Sequence, residues 1–150
     1  MSRRKIPDRI QQEVRQRANG LCEYCHASER WQYIRFTIDH LIPLDCGGSD
    51  DIENLALACF HCNRRKSNKT IAIDPQSQTE VPLFNPRESD WWEHFIWSEN
   101  CLYIQGLTPC GRATIEQLQL NRERVIQIRQ ADREIGRHPP PDDPVIMNES

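Results

Sequence analysis

Two Cys-x-x-Cys pairs, Cys22/Cys25 and Cys59/Cys62, are separated by 33 residues. A turn of this kind aims two thiolates at one ion, and zinc prefers four soft ligands in a tetrahedron. The pattern predicts a closed, structural Zn²⁺ site on Cys22, Cys25, Cys59 and Cys62. His26 and His61 lie beside the pairs and are the alternative ligands. Cys46, Cys101 and Cys110 stand at no ligand spacing. Cys22-Glu23-Tyr24-Cys25-His26 also matches the pattern of c-type haem attachment. That chemistry belongs to exported proteins and leaves the second pair idle, as does a redox dithiol.

Between the pairs lies Asp39-His40, and Asn63-Arg64-Arg65-Lys66 follows the second pair directly. Hydrolysis of a phosphodiester needs a base for water, a cation to neutralise the phosphate, and donors that hold the backbone. His40 can be the base, since a neutral imidazole exists near pH 7. Asp39 offers a hard carboxylate oxygen suited to Mg²⁺ or Mn²⁺, and Asn63 an amide oxygen as a second ligand. Arg64, Arg65 and Lys66 are the expected phosphate contacts.

These residues need elements to bring them together. Residues 31–38 are rich in aromatic and β-branched types and read as a strand ending at Asp39-His40. Residues 43–51 form a loop by composition, 55–58 a second strand, and 60–68 a helix opened by the second pair. If the hairpin packs on that helix, the side chains of Asp39, His40 and Asn63 can converge. Upstream, residues 6–18 read as a helix with Ile10, Val14 and Ala18 on one face and an Asn19-Gly20 stop. Arg9, Arg15 and Arg17 on that helix serve either the core or a phosphate backbone.

Downstream, the Pro-rich stretch 71–90 reads as an irregular connection. Trp91, Trp92, Phe95 and Trp97 cluster ahead of a possible hairpin over 91–104, and at this density aromatics are core more often than base-stacking platforms. Thr108-Pro109 predicts a helix to Leu118. Asn121 predicts a second cap, for a helix to about 135 with Val125, Ile128, Ala131 and Ile135 on one stripe. Residues 137–150, with three consecutive prolines, are expected to be disordered. The division expected is therefore 1–20 helix, 21–70 core, 71–136 extension and 137–150 tail.

The run Ile38-Asp39-His40-Leu41-Ile42-Pro43-Leu44, then Gly47-Gly48-Ser49-Asp50-Asp51, Glu53-Asn54-Leu55 and Cys59-x-x-Cys62-Asn63-x-x-Lys66 resembles the zinc-binding form of the HNH endonuclease motif. The resemblance spans about residues 20–69. It implies an α+β fold built on a ββα-metal finger. It also implies His40 as general base, Asp39 and Asn63 as ligands of the catalytic cation, Asn54 as the residue that orients the loop and histidine, and the four cysteines as structural ligands. Many members end in histidine where this chain has Asn63; asparagine favours Mg²⁺ or Mn²⁺. Residues 83–130 resemble the C-terminal extension of small stand-alone bacterial HNH proteins.

Composition sets the remaining bounds. At 150 residues the chain is one domain with an annex, and charge is uneven: 12 Lys/Arg against 9 Asp/Glu in residues 1–70, net +3, and 7 against 13 in residues 71–150, net −6. The basic excess sits with the metal site, where a nucleic-acid partner would bind. No apolar run approaches a membrane span. The basic N-terminus leads into no apolar segment, so a cytoplasmic protein is expected. The expected function is metal-dependent hydrolysis of DNA. The rival is a non-catalytic zinc module that binds nucleic acid or protein and keeps the motif as scaffold.

Overall fold

The computed structural model describes residues 5–141 and 143. The chain is α+β, with five helices and three two-stranded antiparallel sheets among these residues. Helix α1 (Asp8–Arg17) buries Val14, packs on the extended residues 55–58 and stops where Asn19 and Gly20 turn to positive φ. Arg15 and Arg17 face the protein: Arg15 donates to Glu29 and to the Phe36 carbonyl, and Arg17 to the carbonyls of Ile52 and Leu55. Of the three arginines, Arg15 is half-buried and Arg17 is tied to the loop and strand carbonyls from the surface, while Arg9 is exposed.

Strand β1 (Thr37–His40) pairs antiparallel with β2 (Leu55–Ala58), Asp39 facing Ala56 and His40 facing Leu55. Helix α2 (Phe60–Lys66) closes this ββα unit. The first strand is shorter than the sequence predicts. Residues 29–31 form a 3₁₀ turn, and the Glu29 carboxylate accepts the Phe36 amide at 2.7 Å, so 32–36 is a pinned loop. All four residues of β2 are buried, which suits an all-apolar Leu-Ala-Leu-Ala strand wrapped on both faces.

The stretch 71–90 is not irregular throughout. Strands β3 (Ile71–Ile73) and β4 (Glu80–Pro82) make a hairpin, with Ala72 inward and Ile71 and Ile73 outward. Asp74 builds the turn. Its carboxylate accepts from the amides of Gln76 and Ser77 and from Arg112, and the Arg112 guanidinium holds it well below the usual carboxylate range. Helix α3 (Trp91–His94) leads into the hairpin of β5 (Phe95–Trp97) and β6 (Ile104–Gly106). Trp91, Phe95 and Trp97 are core, as expected, but Trp92 is exposed; Trp91 lies 5.1 Å from Phe95 and 5.8 Å from Trp97, ring centre to ring centre.

Helix α4 (Pro109–Leu118) starts at Thr108, whose hydroxyl accepts the Gly111 amide at 3.0 Å, and packs against α2, β3, β4 and β6. Helix α5 (Glu123–Glu134) departs from expectation twice. Asn121 does not cap it but mimics a strand, exchanging two hydrogen bonds with the backbone of Ile104. The expected apolar stripe is also absent as a buried face: Ile128, Ala131 and Ile135 are exposed, and Arg129 is the buried residue. Arg129 donates to the carbonyls of Leu102 and Leu120 and lies over the Trp97 ring. Backbone acceptors left open by the loops outbid apolar side chains for that face. The expected disordered tail begins differently as well. His138 packs edge-on against Trp97 and Asp143 is fully buried, while 142 and 144–150 lie outside the described residues.

Candidate metal and nuclease site

The first cysteine pair sits in a tight knuckle after α1. The Cys22 amide bonds the Ala27 carbonyl at 2.9 Å, and the His26 amide bonds Cys22 at 2.9 Å. The second pair opens α2: Cys59 is its N-cap, its sulfur accepting the Cys62 amide at 3.4 Å. All four Sγ atoms lie within 4.8 Å of one another, and Cys25 and Cys59 are 3.8 Å apart. A tetrahedron with Zn–S bonds of ~2.3 Å has edges of about 3.8 Å, so the cluster fits zinc. Burial pushes the Cys22 thiol up, whereas hydrogen bonds from Cys22, Cys59 and Cys62 draw Cys25 well below its ordinary value. Thiols gathered this closely must shed protons to bind metal, and a soft dication takes the place of those protons. His26 and His61 point elsewhere: His26 stacks on Trp91 and bonds Asp143, and His61 bonds the Leu118 carbonyl.

Tyr24 connects this knuckle to the strand. It is fully buried between the two cysteines, and its hydroxyl donates to Asp39 Oδ2 at 2.6 Å. Asp39 is itself buried and also pairs with Lys66 Nζ at 3.2 Å. Lys66 is 2% exposed, so it is not a phosphate contact as the sequence predicts. Its ammonium is held by Asp39 and by the His40 carbonyl, an oxygen-lined cation position. Arg64 and Arg65 are exposed, as DNA contacts would need to be.

His40 points away from Asp39, as neighbours on a strand do. Its Nε2 is 2.7 Å from Asp50 Oδ1. Asn54 fastens the loop between them. Its Oδ1 accepts the Ile42 amide at 2.8 Å, and its Nδ2 donates to the carbonyls of Ile42 and Ser49. The loop crosses itself closely here: a Cβ on Gly48 would come within 1.8 Å of the Ile42 oxygen, so only glycine fits. Asn63 bonds Thr37 Oγ1 through its amide nitrogen at 3.0 Å. The three expected catalytic side chains are therefore gathered on one hairpin-and-helix unit, but each holds a different partner. Thr37 and Asp39 share a face of β1, and Asn63 and Lys66 share a face of α2, so Asp39 and Asn63 lie on the same strand–helix interface.

The model of the HNH endonuclease family matches residues 22–69. The chain carries an HNH domain. The match starts at the first zinc-type cysteine and ends three residues past the helix that bears Asn63, and the four-cysteine cluster fits the zinc-binding form. An HNH domain supports a nuclease-type function and a nucleic-acid substrate. No curated protein matches the chain. Among the described residues no helix is long and apolar enough to cross a membrane.

Sequence reasoning missed three residues around this HNH domain. Asp50, the partner of His40, lay in plain view within the loop run but had no assigned role. Tyr24 was signalled by an aromatic between paired cysteines. Lys66 was misread because basic residues next to a motif are usually solvated; one helical turn after Asn63 places it inward instead.

Proposed function

We propose that the chain is a metal-dependent endonuclease that hydrolyses phosphodiester bonds in DNA. The observation that carries this reading is the His40–Asp50 pair on a loop fastened by Asn54. A scaffold has no use for an imidazole oriented by a carboxylate, whereas a general base needs it. With the Nε2 proton donated to Asp50, Nδ1 is the basic nitrogen that takes the proton of the attacking water. Asn54 holds the loop that sets this geometry. Arg64 and Arg65 hold the phosphate backbone.

Zn²⁺ on Cys22, Cys25, Cys59 and Cys62 is structural. Asp39 and Asn63 would hold the catalytic Mg²⁺ or Mn²⁺, which supplies charge neutralisation at the scissile phosphate. The donor chemistry fits a hard cation, and the Asp39 carboxylate already holds one in the Lys66 ammonium. Lys66 must withdraw for a divalent ion to take that place. The same ion pair favours the second reading, a non-catalytic zinc module in which Asp39 is a buried structural group.

Nicking of supercoiled plasmid in Mg²⁺ separates the two. Nicking by the wild type, absent in Asn63→Ala at unchanged zinc content, supports the nuclease. A zinc-replete wild type that binds DNA but never nicks it, across a panel of divalent ions, establishes the module.

A further inference from the structure

The loop of residues 29–36 is fixed at its ends and unpacked at its tip. Glu29 accepts from Arg15 and from the Phe36 amide, Arg15 donates to the Phe36 carbonyl, and Phe36 is buried. Between these anchors Gln32, Tyr33, Ile34 and Arg35 are exposed, Tyr33 at 104% of its reference surface. Trp31 sits at the base, with the Arg30 guanidinium 5.1 Å and the Arg137 guanidinium 4.4 Å from its ring centre. The ring thereby holds two cations in place beside the loop. Glu29, the one carboxylate of the loop, accepts from Arg15 and the Phe36 amide and lies 4.0 Å from Arg35, a long surface pair that leaves the Arg35 side chain 78% exposed.

We infer that this loop is a second DNA contact, with Tyr33 stacking on an unpaired base and Arg30, Arg35 and Arg137 holding the flanking phosphates. The inference rests on the nuclease reading and adds a substrate class to it: DNA with an unstacked base near the cut. Charge complementarity selects the partner, because three exposed guanidiniums match a polyanion and form bidentate bonds with phosphate. The fully exposed ring selects the base, since every base has a face to stack on but a duplex keeps those faces covered. Phe36 lies four residues before His40, about 13 Å along extended chain.

The test is binding of fluorescein-labelled single-stranded DNA, and of a duplex of the same sequence, to the zinc-loaded full chain without added Mg²⁺ or Mn²⁺. One stacked base is worth about 5- to 160-fold in affinity. Tyr33→Ala is expected to weaken the single strand by that factor and the duplex less than twofold, with Tyr33→Trp retaining the affinity. Arg30→Gln with Arg35→Gln is expected to lower the log–log salt slope for the single strand by about 1.4, two contacts at ~0.7 each. Tyr33 touches no core, so zinc content and melting of its variants serve as fold controls. Equal affinities of Tyr33→Ala and wild type for the single strand overturn the inference while plasmid nicking, if present, leaves the nuclease reading intact. Salt slopes unchanged in the arginine variants overturn it too and assign the patch to an acidic protein partner. A wild type that neither binds DNA nor nicks plasmid removes both readings.

Discussion

The HNH unit and the C-terminal extension are held together by different chemistry. In residues 22–69 the side chains that fix the geometry are polar: four sulfurs, the Tyr24–Asp39–Lys66 chain, the His40–Asp50 pair and the three bonds of Asn54. Regular structure there is sparse, and its strands are four residues each. The extension adds a larger aromatic core to its polar ties: Phe84, Trp91, Phe95 and Trp97 form one cluster, and Leu118 and Leu120 are fully buried. A polar framework gives fixed atoms and places them where chemistry can use them. An apolar one gives stability that tolerates irregular backbone. The two meet at Tyr24, whose carbonyl accepts from Trp91 Nε1 at 2.9 Å and whose ring meets Phe84 edge-on.

The largest test of this contrast is removal of the metal. Structural zinc contributes ~10–16 kcal/mol of apparent binding energy in small finger peptides, against a usual domain stability of about 5–15 kcal/mol. Cys59→Ser is expected to lose zinc and unfold the HNH unit, followed by metal content and circular dichroism. A soluble variant with native melting would dissolve the contrast. The ligands must shed protons to bind, so zinc affinity is expected to fall as pH is lowered. A competition titration with a chromophoric chelator at several pH values measures this.

Lys66→Met probes the buried pair. Stripping one partner from a buried ion pair costs about 3–5 kcal/mol, because the other charge stays buried. The melting temperature is expected to drop accordingly and to recover in Mg²⁺ more than that of the wild type, since a divalent ion now binds Asp39 without competition. Identical Mg²⁺ responses would show that Asp39 takes no metal. Cys59 and Lys66 are thus expected to matter for folding, and His40 for turnover alone. His40→Ala should bind DNA and keep its zinc while nicking about 10²–10⁴-fold more slowly.

The smallest effect belongs to the surface. Each lost phosphate contact removes about 0.9 from the log–log salt slope on duplex DNA. Arg64→Ala with Arg65→Ala should flatten it by about 1.8 in an anisotropy titration. An unchanged slope would move the duplex-binding face off α2.

The same division explains what could be read in advance. Cysteine spacing, Asp39-His40, the glycine-bearing loop and Asn54 are local signals, and the ββα order followed from them. The Thr108 cap and the aromatic core were also local. Arg129 was not, because its burial depends on carbonyls at Leu102 and Leu120 left open by distant loops. Nor was the β3–β4 hairpin, whose strands are three residues long and turn on the Asp74–Arg112 contact. Lys66 failed for a third reason. Its neighbours Arg64 and Arg65 are solvated, and only the partner offered by β1 separates it from them.

Asp143 reaches back to bond His26 at 3.0 Å and Trp97 at 3.3 Å, burying itself against the first knuckle. A ribosome releases the chain from the other direction. Both cysteine pairs have been synthesised by residue 62, yet the carboxylate that packs beside the first knuckle follows 81 residues later. At ~5–20 residues per second that is about 4–16 s of synthesis. Through that interval the thiols exist without the Asp143 contact, so metal has time to reach the nascent chain before that carboxylate packs against His26.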